Sequence, residues 1–289
     1  MTNSLGVVFL KKSIGIIFLF TCFLANAVAE NKCNLVFAVH PYRSAETILG
    51  VFQDFVNPIE TALECKIKVL VSKDYEAHIS NIGKGVADIA YIGPAAYVRL
   101  VAEFGSFRLL GQQSIKGSSK FFGHIVVHNQ SQLQSLQQLT GKRFAFGDTV
   151  STMSHLVPRY LLMQANLRHD DYQARFLGSH DNVALAVLSG DYDAGAVKDA
   201  VFLKYKSLGL RSLAKTPLIS EHLLLVSQRV SQQQYEQLKI IILNYHTLAF
   251  GVQKLNEIKK GFTQFESVSD DDYDNLRIIL KKLSEAGIE

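Results

Sequence analysis

Two stretches of this chain, a constant 105 residues apart, read alike. Gly85-Val86-Ala87-Asp88-Ile89-Ala90 runs on to Pro94-Ala95-Ala96-Tyr97, and Gly190-Asp191-Tyr192-Asp193-Ala194-Gly195 runs on to Asp199-Ala200-Val201-Phe202. Each reads as the end of a helix, a Gly-x-x-Asp turn, an apolar strand, a loop and a second helix. Each also follows a strand–loop–helix unit, at residues 35–59 in one case and 143–164 in the other. Strands that alternate with helical patterns build α/β layers with parallel pairing. The expected fold is α/β, with two lobes of similar plan, each a mainly parallel sheet flanked by helices.

Leu35–Val39, Ile67–Val71, Ile89–Ile92, Phe121–His128 and Arg143–Phe146 read as strands. The polar stretch Gln112 to Ser119 marks a crossing between lobes near residues 111–122, with a return near Pro217–Leu225. The C-terminal third reads as helices, Tyr235–Phe250 and Asp270–Leu283, the latter with acids at its start and Lys281-Lys282 at its end, as the helix dipole favours. Residues 30–115 with 220–289 form the first expected lobe and residues 116–219 the second. In open α/β sheets ligands sit beyond the carboxyl ends of the strands, and two facing lobes would line a shared cleft there.

The N-terminus reads as an address. Lys11-Lys12, an apolar run from Ile14 to Ala25, and Ala27-Val28-Ala29 ahead of Glu30 have the pattern of a secretory signal peptide over residues 1–29. The run falls short of the ~20 apolar residues that span a bilayer. Cys22 lies within it behind Phe20-Thr21, which is not a lipobox. Export places Cys33 and Cys65 where disulfides persist. Each stands just before a strand; if those strands are parallel neighbours, the sulfurs face one another at the sheet's N-terminal edge. The other reading is two small buried residues that never meet.

Charge and motifs narrow the function classes. Of 289 residues 48% are hydrophobic, enough for a real core, and the formal charge is +4. Without the leader and its two lysines, 28 basic residues stand against 26 acidic ones. That is no footprint for nucleic acid. No G-x-S-x-G, P-loop, G-x-G-x-x-G or H-E-x-x-H is present. His124 and His128 fall on a strand, where about 3.3 Å per residue holds them too far apart to share a metal. Neither a metal nor a cofactor is expected, and an enzyme is the weaker class.

Three hydroxyls stand out. Ser151, Thr152 and Ser154 lie between a strand and a helix, where O–H groups beside unpaired backbone N–H groups suit a phosphate-like anion. The same residues would also serve as an ordinary N-cap. Gly178-Ser179-His180-Asp181-Asn182 is a second polar turn ahead of a helix, with His180 as an oxyanion donor or a surface residue. Tyr42 and Tyr91 sit at strand ends, as hydroxyl donors or as packing.

Taken together, the segments resemble the phosphate/phosphite/phosphonate-binding periplasmic proteins of ABC importers. That family's pieces read here as Gly85…Asp88…Gly93-Pro94…Tyr97, Gly141-Lys142-Arg143-Phe144-Ala145-Phe146, Ser151-Thr152-Met153-Ser154-His155-Leu156-Val157-Pro158, Gly178-Ser179-His180-Asp181 and Gly190…Asp193-Ala194-Gly195-Ala196-Val197, in order over residues 33–230. The resemblance implies a two-lobed periplasmic-binding-protein (type II) clamp. It implies ligand contacts from Tyr91, Ser151, Thr152 and His180, with weaker claims for Tyr42, Ser154 and His155. Met153 and Ser154 depart from the family pattern, where a small hydroxyl residue and Gly are usual. Lys198 stands where relatives that bind aminoalkyl-phosphonates carry an acid. The 105-residue offset pairs Lys198 with Gly93, so it is expected either to face the cleft, attracting anions and repelling a cationic tail, or to sit in solvent.

The expected function is an exported, monomeric solute-binding protein of the periplasm. It captures a phosphate-, phosphite- or phosphonate-type oxyanion and hands it to an ABC permease in the inner membrane, with no nucleic-acid partner. The alternative is a soluble sensor of the same fold, presenting its ligand state to a membrane kinase or cyclase.

Overall fold

The apolar runs of the sequence become the strands of two sheets. A computed structural model of the chain describes residues 33–287 together with Met1 and Thr2. The rest of the segment read as a signal peptide lies outside the described residues. No helix among those described is long and apolar enough to cross a membrane.

The chain begins with β1 (Asn34–Val39), α1 (Ala45–Leu63), β2 (Lys66–Val71), α2 (Tyr75–Gly83), β3 (Ile89–Ile92), α3 (Pro94–Phe104) and β4 (Arg108–Ile115). Next come β5 (Lys120–Phe121), β6 (Gly123–His128), β7 (Arg143–Phe146), α4 (Val157–Gln164), β8 (Gln173–Phe176), α5 (His180–Leu188), β9 (Ala194–Lys198), α6 (Asp199–Lys206) and β10 (Leu210–Lys215). The remainder is β11 (Ile219–Ser220), β12 (Leu223–Val226), α7 (Gln232–Leu243), α8 (Gly251–Ile258), β13 (Phe262–Glu266) and α9 (Asp274–Glu285). The first sheet has the order β13-β4-β12-β3-β1-β2 and the second β10-β6-β9-β7-β8.

Local chemistry accounts for the first unit. In α1, Ile48, Phe52, Phe55, Val56 and Ile59 fall on one face and are buried, as helical spacing requires. They pack against Phe37 of β1, each large apolar side chain contributing about 1.5–3 kcal/mol on burial. Ser44 Oγ caps the helix by accepting from the Thr47 N–H. β1 and β2 pair in parallel from Asn34↔Lys66. Cys33 and Cys65, one residue before each strand, form a disulfide at that edge of the sheet.

The sequence repeat is a repeat of one device. The Asp88 carboxylate accepts from the Val36 N–H at 2.9 Å, and the Asp88 N–H donates to the Val36 carbonyl. In the second sheet the Asp193 carboxylate accepts from the Arg143 N–H at 2.8 Å, and the Asp193 N–H donates to the Arg143 carbonyl. Each aspartate so latches the start of one strand to the strand beside it, three residues after a glycine at φ +70° (Gly85) or +81° (Gly190).

Several readings of the sequence need correction, beginning with the mainly parallel sheets: the first has three antiparallel pairings against two parallel ones, and the second has two of each. The first half of the polar stretch 112–119 is strand: Gln112, Gln113 and Ser114 belong to β4 and are buried. Their amides find distant partners, so polarity there does not mark a loop. Leu223–Val226, which overlaps the end of the expected return crossing, is β12, a buried strand lying antiparallel between β3 and β4. The C-terminal third also contains β13, antiparallel to β4 at the sheet's edge. The expected helix 235–250 breaks after Leu243, and α8 restarts behind Phe250, which sits at φ +60°. The crossings themselves are the short strands β5 and β11, which pair antiparallel as a separate ribbon through Phe121↔Ile219 and Lys120↔Ser220.

Candidate functional site

The carboxyl ends of β1, β3, β7 and β9 open on one cavity of about 480 Å³. His40, Tyr42, Tyr75 and Tyr91 line it from the first sheet, and Ser151, Thr152, Ser154, His180 and Lys198 from the second. Phe121, His222 and Lys259 complete the wall.

The hydroxyl turn is shaped by Gly147. Its N–H donates to the Ser154 carbonyl at 3.0 Å, and a Cβ there would meet Ser154 Oγ at 2.2 Å. Only glycine admits so close a return of the chain. Asp148 Oδ1 then accepts from the Val150 N–H, and Ser151 Oγ accepts from the Ser154 N–H at 3.2 Å. Thr152–Leu156 follows as a π-helical turn leading into α4. Its first N–H groups have no acceptor within the turn. Thr152 Oγ1 accepts from the Ala95 N–H of α3 at 3.2 Å, a bond between the elements of the two sheets that leaves the hydroxyl hydrogen free to donate. Ser154 Oγ is buried without a partner.

His180 has its proton placed by the backbone. The Lys198 N–H donates to His180 Nδ1 at 3.1 Å. Nδ1 is therefore bare, and a neutral ring carries its hydrogen on Nε2. Burial, with Lys198 adding to it, holds the imidazole well below its ordinary pKa. The ring is thus a neutral N–H donor at the cavity that the hydroxyl turn and Lys198 also line.

The first sheet contributes rings. His40, Tyr91 and His222 lie nearly parallel, with centroids 5.4–5.5 Å apart in every pair. Burial lowers the pKa of His40 and of His222. Tyr91 donates its hydroxyl hydrogen to Gln113 Oε1 at 2.8 Å, and Tyr42 donates to the Ile258 carbonyl at 3.2 Å. Both tyrosines line the cavity, with their hydrogens committed to protein acceptors. His155 is not among the lining residues. Its Nδ1 meets the Thr149 carbonyl at 2.6 Å and its ring packs on Phe146 and Phe176, with burial pushing its pKa down to about 4.

A charge cluster behind the rings was not foreseen from the sequence. Glu221 is 1% exposed, and its carboxylate accepts from Lys259 Nζ at 2.6 Å and Gln113 Nε2 at 2.5 Å, with the His222 N–H and Nδ1 at 3.2 and 3.1 Å. Burial pushes its pKa upward, but Lys259 and His222 outweigh that and hold it well below the carboxylate range. Its one local signal is Ser220-Glu221-His222, a polar trio set directly before the apolar β12.

Donors on one wall, rings on the other and the Lys198 side chain among the lining residues suit a small oxyanion. The sequence profile of the ABC transporter phosphonate periplasmic substrate-binding proteins matches residues 37–273. The chain belongs to this family. A relative from Prochlorococcus marinus, named "Probable ABC transporter phosphite binding protein PhnD1", is 26% identical over 194 residues, 64% of each chain. The match therefore spans just under two thirds of that relative. The phosphonates-binding periplasmic protein of Escherichia coli is 23% identical over 232 residues, 76% of this chain and 68% of that one. Among solved structures, PhnD1 of Prochlorococcus marinus in complex with methylphosphonate superposes with a TM-score of 0.76 at 23% identity, over 87% of this chain and 98% of that one. A binding component of an ABC phosphonate transporter from Pseudomonas aeruginosa also gives 0.76, at 19% identity, over 89% of this chain and 88% of that one. These likenesses establish the two-lobed fold of periplasmic binding proteins for this family member.

Proposed function

We propose that the chain is an exported solute-binding protein that captures a phosphate-, phosphite- or phosphonate-type oxyanion and delivers it to an ABC permease. One observation carries this reading: the hydroxyl turn at Ser151–Ser154 and the Nε2–H of His180 converge on one cavity without a protein acceptor. Neutral donors in a site shielded from water bind an oxyanion through charge-assisted hydrogen bonds, which are about twice as strong as neutral ones. In this reading residues 1–29 are a cleaved leader. Residues 30–115 with 220–289 make one lobe and 116–219 the other, a division supported by sheet membership on either side of the β5–β11 ribbon.

A thermal-shift screen of the mature chain against phosphate, phosphite, methylphosphonate and sulfate tests the reading. A true ligand at 100 times its Kd stabilises by about 2.7 kcal/mol, a rise in midpoint of about 5–10 °C for a chain of this size. No rise with any of the phosphorus oxyanions at millimolar concentration would overturn it.

A further inference from the structure

Lys198 ends β9 and lines the cavity. Its backbone is fixed by the hydrogen bond from its N–H to His180 Nδ1. Its ammonium makes no ion pair and no hydrogen bond among the described residues, although the residue is partly buried. The neighbouring charges are otherwise committed. Glu221 holds Lys259, Asp181 holds Lys204 and the Tyr205 hydroxyl, Asp148 accepts from the Val150 N–H, and Arg43 donates to the Glu257 carbonyl. Burial and the nearby Lys259 together push the Lys198 pKa down to about 8, with Glu221 and Asp181 pulling the other way. Desolvating a charge without a partner is unfavourable, so the fold holds here a cation that the protein itself does not match.

The oxyanion reading does not need this charge, since the hydroxyl turn and His180 already supply donors. The cavity of about 480 Å³ also falls in the range of small organic ligand sites, about 300–1,000 Å³. We infer that the ligand carries a second anionic group, a carboxylate on the organic tail of a phosphonate, and that Lys198 pairs with it. This rests on the oxyanion reading above and adds the class of the tail.

Calorimetry at pH 7 on the mature chain separates the two. The probes are propylphosphonate, 3-phosphonopropionate and 3-aminopropylphosphonate, of closely similar length with neutral, anionic and cationic tails. The expected order is 3-phosphonopropionate at least tenfold tighter than propylphosphonate, and the aminoalkyl compound weakest. Lys198→Met brings the ratio of the first two to about one, and Lys198→Glu reverses the order in favour of the amine. Lys198→Gln serves as the neutral variant if the Met form does not fold, and the wild-type ratio stands by itself. Binding of propylphosphonate with no preference for the anionic tail overturns the inference and leaves the oxyanion reading intact. A loss from Lys198→Met that is equal for all three probes also overturns it, because the ammonium then serves the phosphonyl group. Failure of phosphate and every phosphonate to bind removes both.

Discussion

The two sheets bring the same strand–turn–strand plan to the cavity and arm it differently. After β1 and β3 the first sheet offers His40, Tyr42 and Tyr91, with the tyrosine hydrogens already donated to protein acceptors. After β7 and β9 the second offers the Ser151–Ser154 hydroxyls, the His180 N–H and the Lys198 ammonium. The residues related by the repeat, Gly93 and Lys198, both stand at the N-cap of the following helix, and neither caps it with a side chain. One is bare because the His222 ring fills the space beside it, 3.3 Å from where a Cβ would be; the other bears a charge. A duplicated scaffold can therefore keep its backbone latches while one copy becomes the donor wall and the other the shield.

The sharpest break of this comparison is a pair of substitutions on opposite walls. Ser151→Ala with Thr152→Ala removes two donors, each worth about 1.5–3 kcal/mol to a charged acceptor, so oxyanion affinity should fall at least a hundredfold by calorimetry. Tyr42→Phe removes only a bond to a carbonyl, and affinity should stay within about threefold. A double variant that melts early yet binds normally would reduce the turn to a helix cap. Next come the glycines. Gly147→Ala should destabilise by about 1–3 kcal/mol through overpacking against Ser154, measured by denaturant unfolding, and clearly more than Gly93→Ala. Equal costs would show that the turn yields freely.

The latches should also differ. Asp88 is 4% exposed and the Asp193 side chain 33%. Asp88→Ala leaves a poorly solvated N–H unpaired, at about 1–3 kcal/mol, and the same change at Asp193 should cost visibly less. The smallest effect is on pH. Burial lowers His78, beside the first sheet, to about 4, as it does His155 beside the second. The unfolded chain takes up protons near pH 6.5 while the folded chain does not, so stability falls as pH drops from about 6.5 toward 4. Between pH 7 and 5.5 each histidine should account for about 1 kcal/mol, and His78→Gln should flatten the acid side of a Tm–pH curve. An unchanged slope in His78→Gln would show that this ring is not kept neutral.

Legibility followed locality. The Gly-x-x-Asp repeat was readable because glycine and aspartate share one short turn, although the partner strand lies 52 or 50 positions away. The hydroxyl turn was readable for the same reason. The antiparallel strands were not, since Gln112–Ser114 look like loop residues until Glu221, 108 positions after Gln113, supplies a buried partner. His155 sits four residues beyond Ser151, yet the π-helical turn carries its ring onto Phe146 and Phe176, an orientation that helical spacing alone does not specify. Glu221, His222 and Lys259 form a cluster only in three dimensions.

The β5–β11 ribbon sets how the molecule can move. Two strands hydrogen-bonded side by side cannot slide along one another without breaking their register, but a ribbon only two residues long bends readily across its width. The two chain passages between the sheets thus act as one leaf and not as two independent tethers. If the sheets move relative to one another, the paired register of this leaf favours swinging about it over sliding. Glu221 and His222 directly follow the leaf while His222 lines the cavity, so the link between the sheets and the binding wall are joined in consecutive residues.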